Sequence, residues 1–510
     1  MLLLFIIFFL VYMMLSLILF IVAASLIYFY VKRSLSYWKK KNVYAEQPYP
    51  LFGNLLNVAF RGESMMNIIK RINNGLSDKH KYFGFYLFHK PVLIVTDKEL
   101  IKEVLIKDFN TFANRANYTN EKVDPIASNN LFSLRDQVWK TVRNKLSPVF
   151  TSGKMKLMMP LMTEISDNLE DVLNNTHNTN IDVKDITKRY AIDITTSCAF
   201  GFDSESLKDA SSEVKLMSDK LLNPTSFISR FGMFCWVLCP FLVDIFRVPF
   251  VDREASRYFI NLFKQSEDER IKRNIQRNDF VDLMIEMTKQ EKQNDVFQFD
   301  DIKKSAQAIV FFNAGTEASS TISSFCLYEL ALHPEIQQEL SNEIRDNLDS
   351  NGNISYETLF GMEYLDMVLK ETLRKYPFAQ FISRYAEKDH IFESTGLKIE
   401  EGTQIIIPTL AIHENPKHYP DPSKFDPERF RGDKMKDLQY VYLPFGEGPR
   451  KCIGERFALM AMKLVIVTFL KKFELVPGEK TDIPLKFVKN GFFTSTKDGC
   501  IYLKIKERRQ

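Results

Sequence analysis

Cys452 is the one cysteine of six whose neighbours suit it for chemistry. It lies in the run Phe445-Gly446-Glu447-Gly448-Pro449-Arg450-Lys451-Cys452-Ile453-Gly454, a glycine-punctuated coil leading into Glu455-Arg456-Phe457-Ala458-Leu459-Met460, where a helix starts. At a helix N-terminus, free amides and the positive end of the dipole favour a thiolate over a thiol. Gly448 and Gly454 let the backbone approach a flat partner, and Arg450 supplies a cation for that partner's anionic group. A thiolate offered in this way is a good axial ligand for haem iron, with Arg450 available to a propionate. The competing reading is an inert cysteine packed in a glycine turn.

Other chemistries find no residues. The phosphate-cradling patterns G-x-x-x-x-G-K-[ST] and G-x-G-x-x-G do not occur, so reducing equivalents must come from elsewhere. There is no H-E-x-x-H, no paired C-x-x-C and no G-x-S-x-G. His413 and His418 are parted by Pro416, and Cys235 and Cys239 sit in an apolar run that reads as packing.

The coil needs elements to hold it. A long helix is predicted from Asp300 or Asp301 to Leu332, where His333-Pro334 stops it, and its apolar surface predicts a helix threaded through the core. A second helix reads from Glu363 to Lys375, before Pro377, and a short strand from Gln404 to Ile407 after the Glu401-Gly402 turn. Six prolines between Pro416 and Pro449 predict irregular coil there.

The 510 residues carry 68 basic and 64 acidic side chains, a net charge of +4 that argues against a nucleic-acid binder. Residues 1–31 hold no charge, and only Ser16 and Ser25 interrupt the apolar run. As a helix they would reach roughly 46 Å, against a hydrocarbon core of roughly 30 Å. Lys32, Arg33, Lys39, Lys40 and Lys41 follow, which predicts that the body faces the cytoplasm. The expected organisation is an anchor at 1–31, a basic stalk at 32–47, and one catalytic domain at 48–510 beginning at the Pro48 to Gly53 hinge. A reducing compartment predicts free thiols.

Together these residues resemble the cytochrome P450 family of haem-thiolate enzymes. The family's F-x-x-G-x-R-x-C-x-G is matched at Phe445, Gly448, Arg450, Cys452 and Gly454. Glu371-Thr372-Leu373-Arg374 resembles the E-x-x-R pair, and Pro427-Glu428-Arg429-Phe430 the segment whose arginine completes a buried network with Glu371 and Arg374. Trp139 and Arg143 resemble the W-x-x-x-R helix that reaches a haem propionate. Tyr328-Glu329-Leu330-Ala331 and the stretch from Lys370 to Pro377 look most like the microsomal, xenobiotic-metabolising branch of arthropods.

The resemblance implies a mainly α fold with small β-sheets, preceded by a single N-terminal transmembrane helix. It implies haem b with Cys452 as the metal ligand, and insertion of one atom of dioxygen into a lipophilic small molecule. It further implies electrons from NADPH through a flavoprotein NADPH-cytochrome reductase, sometimes with cytochrome b5, at the endoplasmic reticulum membrane. Arg135, Lys140, Lys145 and Lys451 are candidates for a basic docking face. Substrate contacts are expected, by analogy, from Phe311, Phe312, Ala314, the loop from Asn114 to Phe132, and Phe378 to Ile382. Phe231 to Leu242 is expected to dip into the bilayer.

One departure stands at the oxygen site. The family's [A/G]-G-x-[D/E]-T-[T/S] reads here Ala314-Gly315-Thr316-Glu317-Ala318-Ser319, so Ala318 replaces the threonine whose hydroxyl serves bound dioxygen. Thr316 lies about 200° and Ser319 about 100° around a helix from Ala318, so neither is a direct substitute. Gly315 is a place where the helix could loosen and admit water. Three activities fit: a monooxygenase using Glu317 with water, Ser319 or a substrate hydroxyl; a haem-thiolate isomerase or dehydratase; and a membrane-tethered haem-binding protein with little turnover.

Overall fold

The computed structural model describes residues 2–77, 79–176, 179–222, 232, 235–236, 240–291, 296–489 and 493–508. Helices dominate, and the longest within the body runs Asp301–Leu332. Its cap is Asp300, whose carboxylate accepts from the Lys303 N–H, and Pro334 opens the next helix. It is buried along most of its length and lies against helices Val183–Phe200 and Glu455–Leu470. This central helix is therefore threaded through the core, as its apolar surface predicts.

The helix Glu363–Lys375 ends before Pro377. A four-stranded sheet lies beside the helical core in the order Tyr82–Leu87, Lys90–Val95, Gln404–Ile407, Ile382–Tyr385. Lys90–Val95 runs parallel to Gln404–Ile407 with Leu93 opposite Ile405, and the two outer pairings are antiparallel. Between Pro416 and Pro449 the regular structure consists of two 3-10 turns, Pro427–Phe430 and Gly432–Lys436. The coil is held by side chains, as the prolines predict.

At the N-terminus, Leu2–Leu35 is one continuous helix with an apolar stretch long enough to cross a membrane, none of it buried in the body. The basic segment behind it is not a free tether. Trp38 is fully buried, its backbone N–H donating to the Tyr86 hydroxyl at 3.1 Å and its indole N–H to the Phe85 carbonyl at 3.2 Å. Gly84 makes room: a Cβ there would lie 2.3 Å from the indole ring. Lys41 adds an ion pair to Glu400 at 2.6 Å. Half of Phe231 to Leu242 lies outside the described residues. Cys198, Cys326, Cys452 and Cys500 carry free thiols.

Candidate cofactor and active site

The Cys452 coil is shaped by its backbone. Cys452 N–H donates to the Phe445 carbonyl and Lys451 N–H to the Gly448 carbonyl, both at 2.9 Å. Gly448 has φ +74°, and a Cβ on it would meet the Leu105 carbonyl oxygen at 2.1 Å, so only glycine fits. Leu105 belongs to a π-helical turn, Glu103–Lys107, that presses on the coil. Helix Glu455–Leu470 begins behind it with Gly454 at its cap.

The expected bias toward thiolate is reversed in the protein alone. Burial pushes the Cys452 thiol above its ordinary value, and Glu455 adds to this. The Gly454 N–H, Arg143 and Arg115 pull the other way without overcoming it. Cys452 stands before the cap rather than inside the first turn, so the dipole reaches it weakly. A coordinated metal ion would ionise it outright. The thiol remains accessible although protein encloses it.

The brace behind the coil is fully buried. Arg374 grips Glu371 with two parallel bonds, Nε to Oε2 at 2.7 Å and Nη2 to Oε1 at 2.8 Å. Asp426 N–H also donates to Glu371 Oε1 at 2.9 Å, and Arg429 Nε lies 3.4 Å from the same oxygen. Glu371 and Arg374 are both 0% exposed, so removing either strands a buried charge.

Four guanidinium groups, Arg115, Arg143, Arg384 and Arg450, lie near enough to act on one another's charge. Among the described residues none has a carboxylate at ion-pair distance. Arg450 Nη1 and Arg384 Nε are buried with no hydrogen-bond partner. Burial depresses all four, and like charges depress Arg115, Arg384 and Arg450 further, whereas Cys452 as an anion would raise Arg115 and Arg143. Arginine does not give up its proton, so such a group calls for an anion. A flat cofactor bearing two carboxylates meets that demand, and the accessible thiol meets a metal at its centre; these residues fit haem.

Arg115 and Arg384 do not stand out in the sequence, because each is one arginine in an aromatic stretch. The Arg450 guanidinium stacks over the Trp139 ring at 3.9 Å, so Trp139 orients the arginine. The other Arg450 nitrogens donate to the Ala113 and Leu134 carbonyls at 2.9 Å and to Asn114 Oδ1 at 3.2 Å.

On the central helix, Ala314 is exposed halfway along an otherwise enclosed element, and Ala318 follows one turn later, half-buried. Glu317 faces away toward helix Val183–Phe200, its Oε1 3.3 Å from Lys184 Nζ. Lys184 also donates to Ser320 Oγ at 3.2 Å and Thr321 Oγ1 at 2.5 Å. Burial favours the protonated acid, but the charges of Lys184 and Lys188 and bonds from Lys184 and Thr321 hold the Glu317 carboxyl below its usual range. Glu317 Oε2 and the buried Ser319 Oγ have no partner. Thr316 is spoken for by Thr195, hydroxyl to hydroxyl at 2.6 Å.

Gly315 does not loosen the helix. A Cβ there would lie 2.8 Å from Thr195 Cγ2, so the glycine lets the two helices close up. The expected pocket residues divide. Phe312 is 0% exposed among Phe200 and Phe259, and Phe311 packs against Phe150, Phe280 and Phe457; both are core rather than pocket. Phe378 is half-buried against Phe493, whose ring lies 4.5 Å away, and Ile382 is half-buried beside Gly446.

An accessible cysteine beside buried arginines without an ion-pair partner, in a fold with a core helix that carries small residues at its centre, is the arrangement of a haem-thiolate protein. The chain belongs to the cytochrome P450 family, whose pattern matches residues 45–502. It is 36% identical to cytochrome P450 6k1 of Blattella germanica, covering 96% of each chain. It is 37% identical to a probable cytochrome P450 6a14 of Drosophila melanogaster, covering 92% of this chain and 95% of that one. Probable cytochrome P450 9f2 of the same fly is 34% identical, over 96% and 98%. The chain is thus an oxidoreductase, a monooxygenase whose cofactor is haem b held through a cysteine thiolate.

Proposed function

We propose that this monooxygenase acts on a lipophilic small molecule, drawing electrons from NADPH through a membrane-bound flavoprotein reductase with cytochrome b5 as an auxiliary donor. The observation that carries the site is the enclosed, accessible Cys452 thiol beside buried arginines that have no carboxylate at ion-pair distance among the described residues. When bound, haem activates dioxygen for transfer of one atom to substrate. Cys452 is the metal ligand, and Arg450, Arg115, Arg384 and Arg143 receive the propionates. Trp139 holds Arg450 in orientation, Phe445, Gly448 and Gly454 shape the coil, and Glu371, Arg374 and Arg429 brace it.

Proton delivery falls to Glu317 and Ser319. Each has an unpartnered buried oxygen, and Glu317 is an anion able to accept a proton at Oε2 while Lys184 holds Oε1. Ala318 leaves space where a hydroxyl would stand, to be filled by water or by a hydroxyl of the substrate. Thr316 is committed to Thr195 and takes no part. Ala314, Phe378 and Ile382 remain as substrate contacts.

No nucleotide-cradling pattern is present in the sequence, which supports an external electron donor. The docking face shrinks, because Lys145 pairs with Glu291 at 3.2 Å and Lys451 with Glu455 at 2.8 Å, leaving Lys140 and Arg135 as its exposed cations. The apolar helix followed by Lys32, Arg33 and Lys39 to Lys41 supports a single-pass anchor in the endoplasmic reticulum with the body on the cytoplasmic side. Exposed Ile245 and Phe246 border the Phe231 to Leu242 segment and support entry of substrate from lipid.

The test is turnover of a lipophilic panel with purified reductase while NADPH, oxygen and product are all counted. Oxygenated product dependent on NADPH is expected. Rearrangement of a hydroperoxide or oxime without reductase would replace this reading with an isomerase or dehydratase, and haem binding without turnover would leave a binding protein.

A further inference from the structure

Outside the residues assigned above, one buried side chain touches both the E-x-x-R helix and the cysteine coil. His413 ends the short helix Thr409–His413 and is 0% exposed. Its Nε2 accepts from the Leu443 N–H at 2.9 Å, while Nδ1 lies 3.1 Å from the Arg374 carbonyl. One contact needs an acceptor and the other a donor, so the ring is neutral with its proton on Nδ1. Burial, reinforced by the Arg374 charge, drives the imidazole down to about 3, which keeps that form through the physiological range. Arg374 Nη1 donates back to the His413 carbonyl at 3.0 Å, and the imidazole stacks on Tyr442 with centroids 5.6 Å apart and planes 16° apart.

The two hydrogen bonds close a path. Leu443 is two residues from Phe445, and the Phe445 carbonyl holds the Cys452 amide at 2.9 Å. Glu371 and Arg374 fix one end, His413 crosses the gap, and the coil receives the constraint immediately before the turn that presents the thiol. Two other hydroxyls tie the same stretch further back, Tyr442 to the Lys370 carbonyl at 3.1 Å and Tyr419 to the Val441 carbonyl at 3.2 Å. Neither grips the backbone as close to Cys452 as His413 does.

We propose that His413 is a positioning residue that couples the E-x-x-R helix to the cysteine coil and so keeps Cys452 at bonding distance from the iron. This rests on the haem-thiolate reading of Cys452. His413→Phe keeps the stack on Tyr442 and removes both bonds; His413→Gln keeps one donor and one acceptor. Haem-loaded wild type and both variants are titrated with urea, following the reduced-CO band of thiolate ligation and far-UV ellipticity on the same samples.

In wild type the two signals should fall together. In His413→Phe the thiolate band should convert to its blue-shifted form at urea concentrations that leave ellipticity intact, on the order of tenfold faster than wild type, as expected for unmade buried hydrogen bonds. His413→Gln should lie between, and it carries the test if the phenylalanine variant does not yield haem-loaded protein. Signals that shift together in the variant would show a merely structural residue, and unchanged signals would show no role; either overturns the proposal. A wild type lacking the thiolate band would instead overturn the reading of Cys452.

Discussion

The two sides of the site are built on opposite terms. In the brace behind the cysteine coil most polar groups are committed, while the arginines that await the cofactor are not: Glu371 accepts from Arg374 and Asp426, His413 spends both ring nitrogens, and Gly448 has no room for a side chain. On the oxygen side, Glu317 Oε2 and Ser319 Oγ are buried without partners, and Ala318 stands where a hydroxyl is usual. Buried polar groups are normally satisfied, so the unsatisfied ones mark where water or substrate enters. The brace ties down the coil that carries Cys452, whereas the central helix keeps buried oxygens free to meet a ligand.

Mutations that break the committed side should cost most. Cys452→His is expected to abolish the reduced-CO band of thiolate ligation and all oxygenation; survival of that band would remove the cysteine from its role. Arg374→Leu strands the Glu371 carboxylate and should cost about 3–5 kcal/mol, read as failure to recover haem-loaded protein. Recovery at wild-type yield and melting temperature would show that the brace is dispensable.

The oxygen side should respond more mildly, and partly by improvement. Ala318→Thr is expected to raise product formed per NADPH a few-fold, whereas an unchanged ratio would mean that protons already arrive without a hydroxyl there. Lys184→Met tests the ion pair through pH. In wild type the Glu317 carboxyl is held below its unfolded value of roughly 4.3. Its contribution to stability is therefore complete above that pH and fades only as pH falls through the lower folded value. Without Lys184, only the Lys188 charge and the Thr321 hydrogen bond still oppose burial, so the carboxyl should rise and the variant should lose stability relative to wild type as pH rises toward neutral. Parallel melting profiles would break this account. The smallest effect belongs to Lys140→Glu, which should slow reduction by reductase at low salt and match wild type at high salt.

Local features of the molecule were legible in the sequence. The bounds of the central helix follow from Asp300 and from His333-Pro334, and those of the helix carrying Glu371 from Pro377. The coil to Cys452 was legible because its glycines and prolines constrain the backbone directly. Features that depend on distant convergence were not. Lys184 and Glu317 are 133 residues apart, and Arg115 gains its meaning only beside Arg384 and Arg450. Phe311 and Phe312 look the same in sequence whether they line a pocket or fill a core. The Cys452 thiol was misread because the dipole was legible and the degree of burial was not.

Trp38 turns the join between anchor and body into a stiff elbow. Ser36 alone separates the end of the apolar helix at Leu35 from the turn Tyr37–Lys40 that carries the buried Trp38, and the indole has no space to swing beside Gly84. Were the apolar helix seated in a bilayer, its lean would be passed to the body as a lean of the sheet, and with it the plane of any ring bound at Cys452. Bilayer thickness, through the tilt that a long apolar helix would adopt, would then be a mechanical setting for which face of the enzyme meets its neighbours along the membrane.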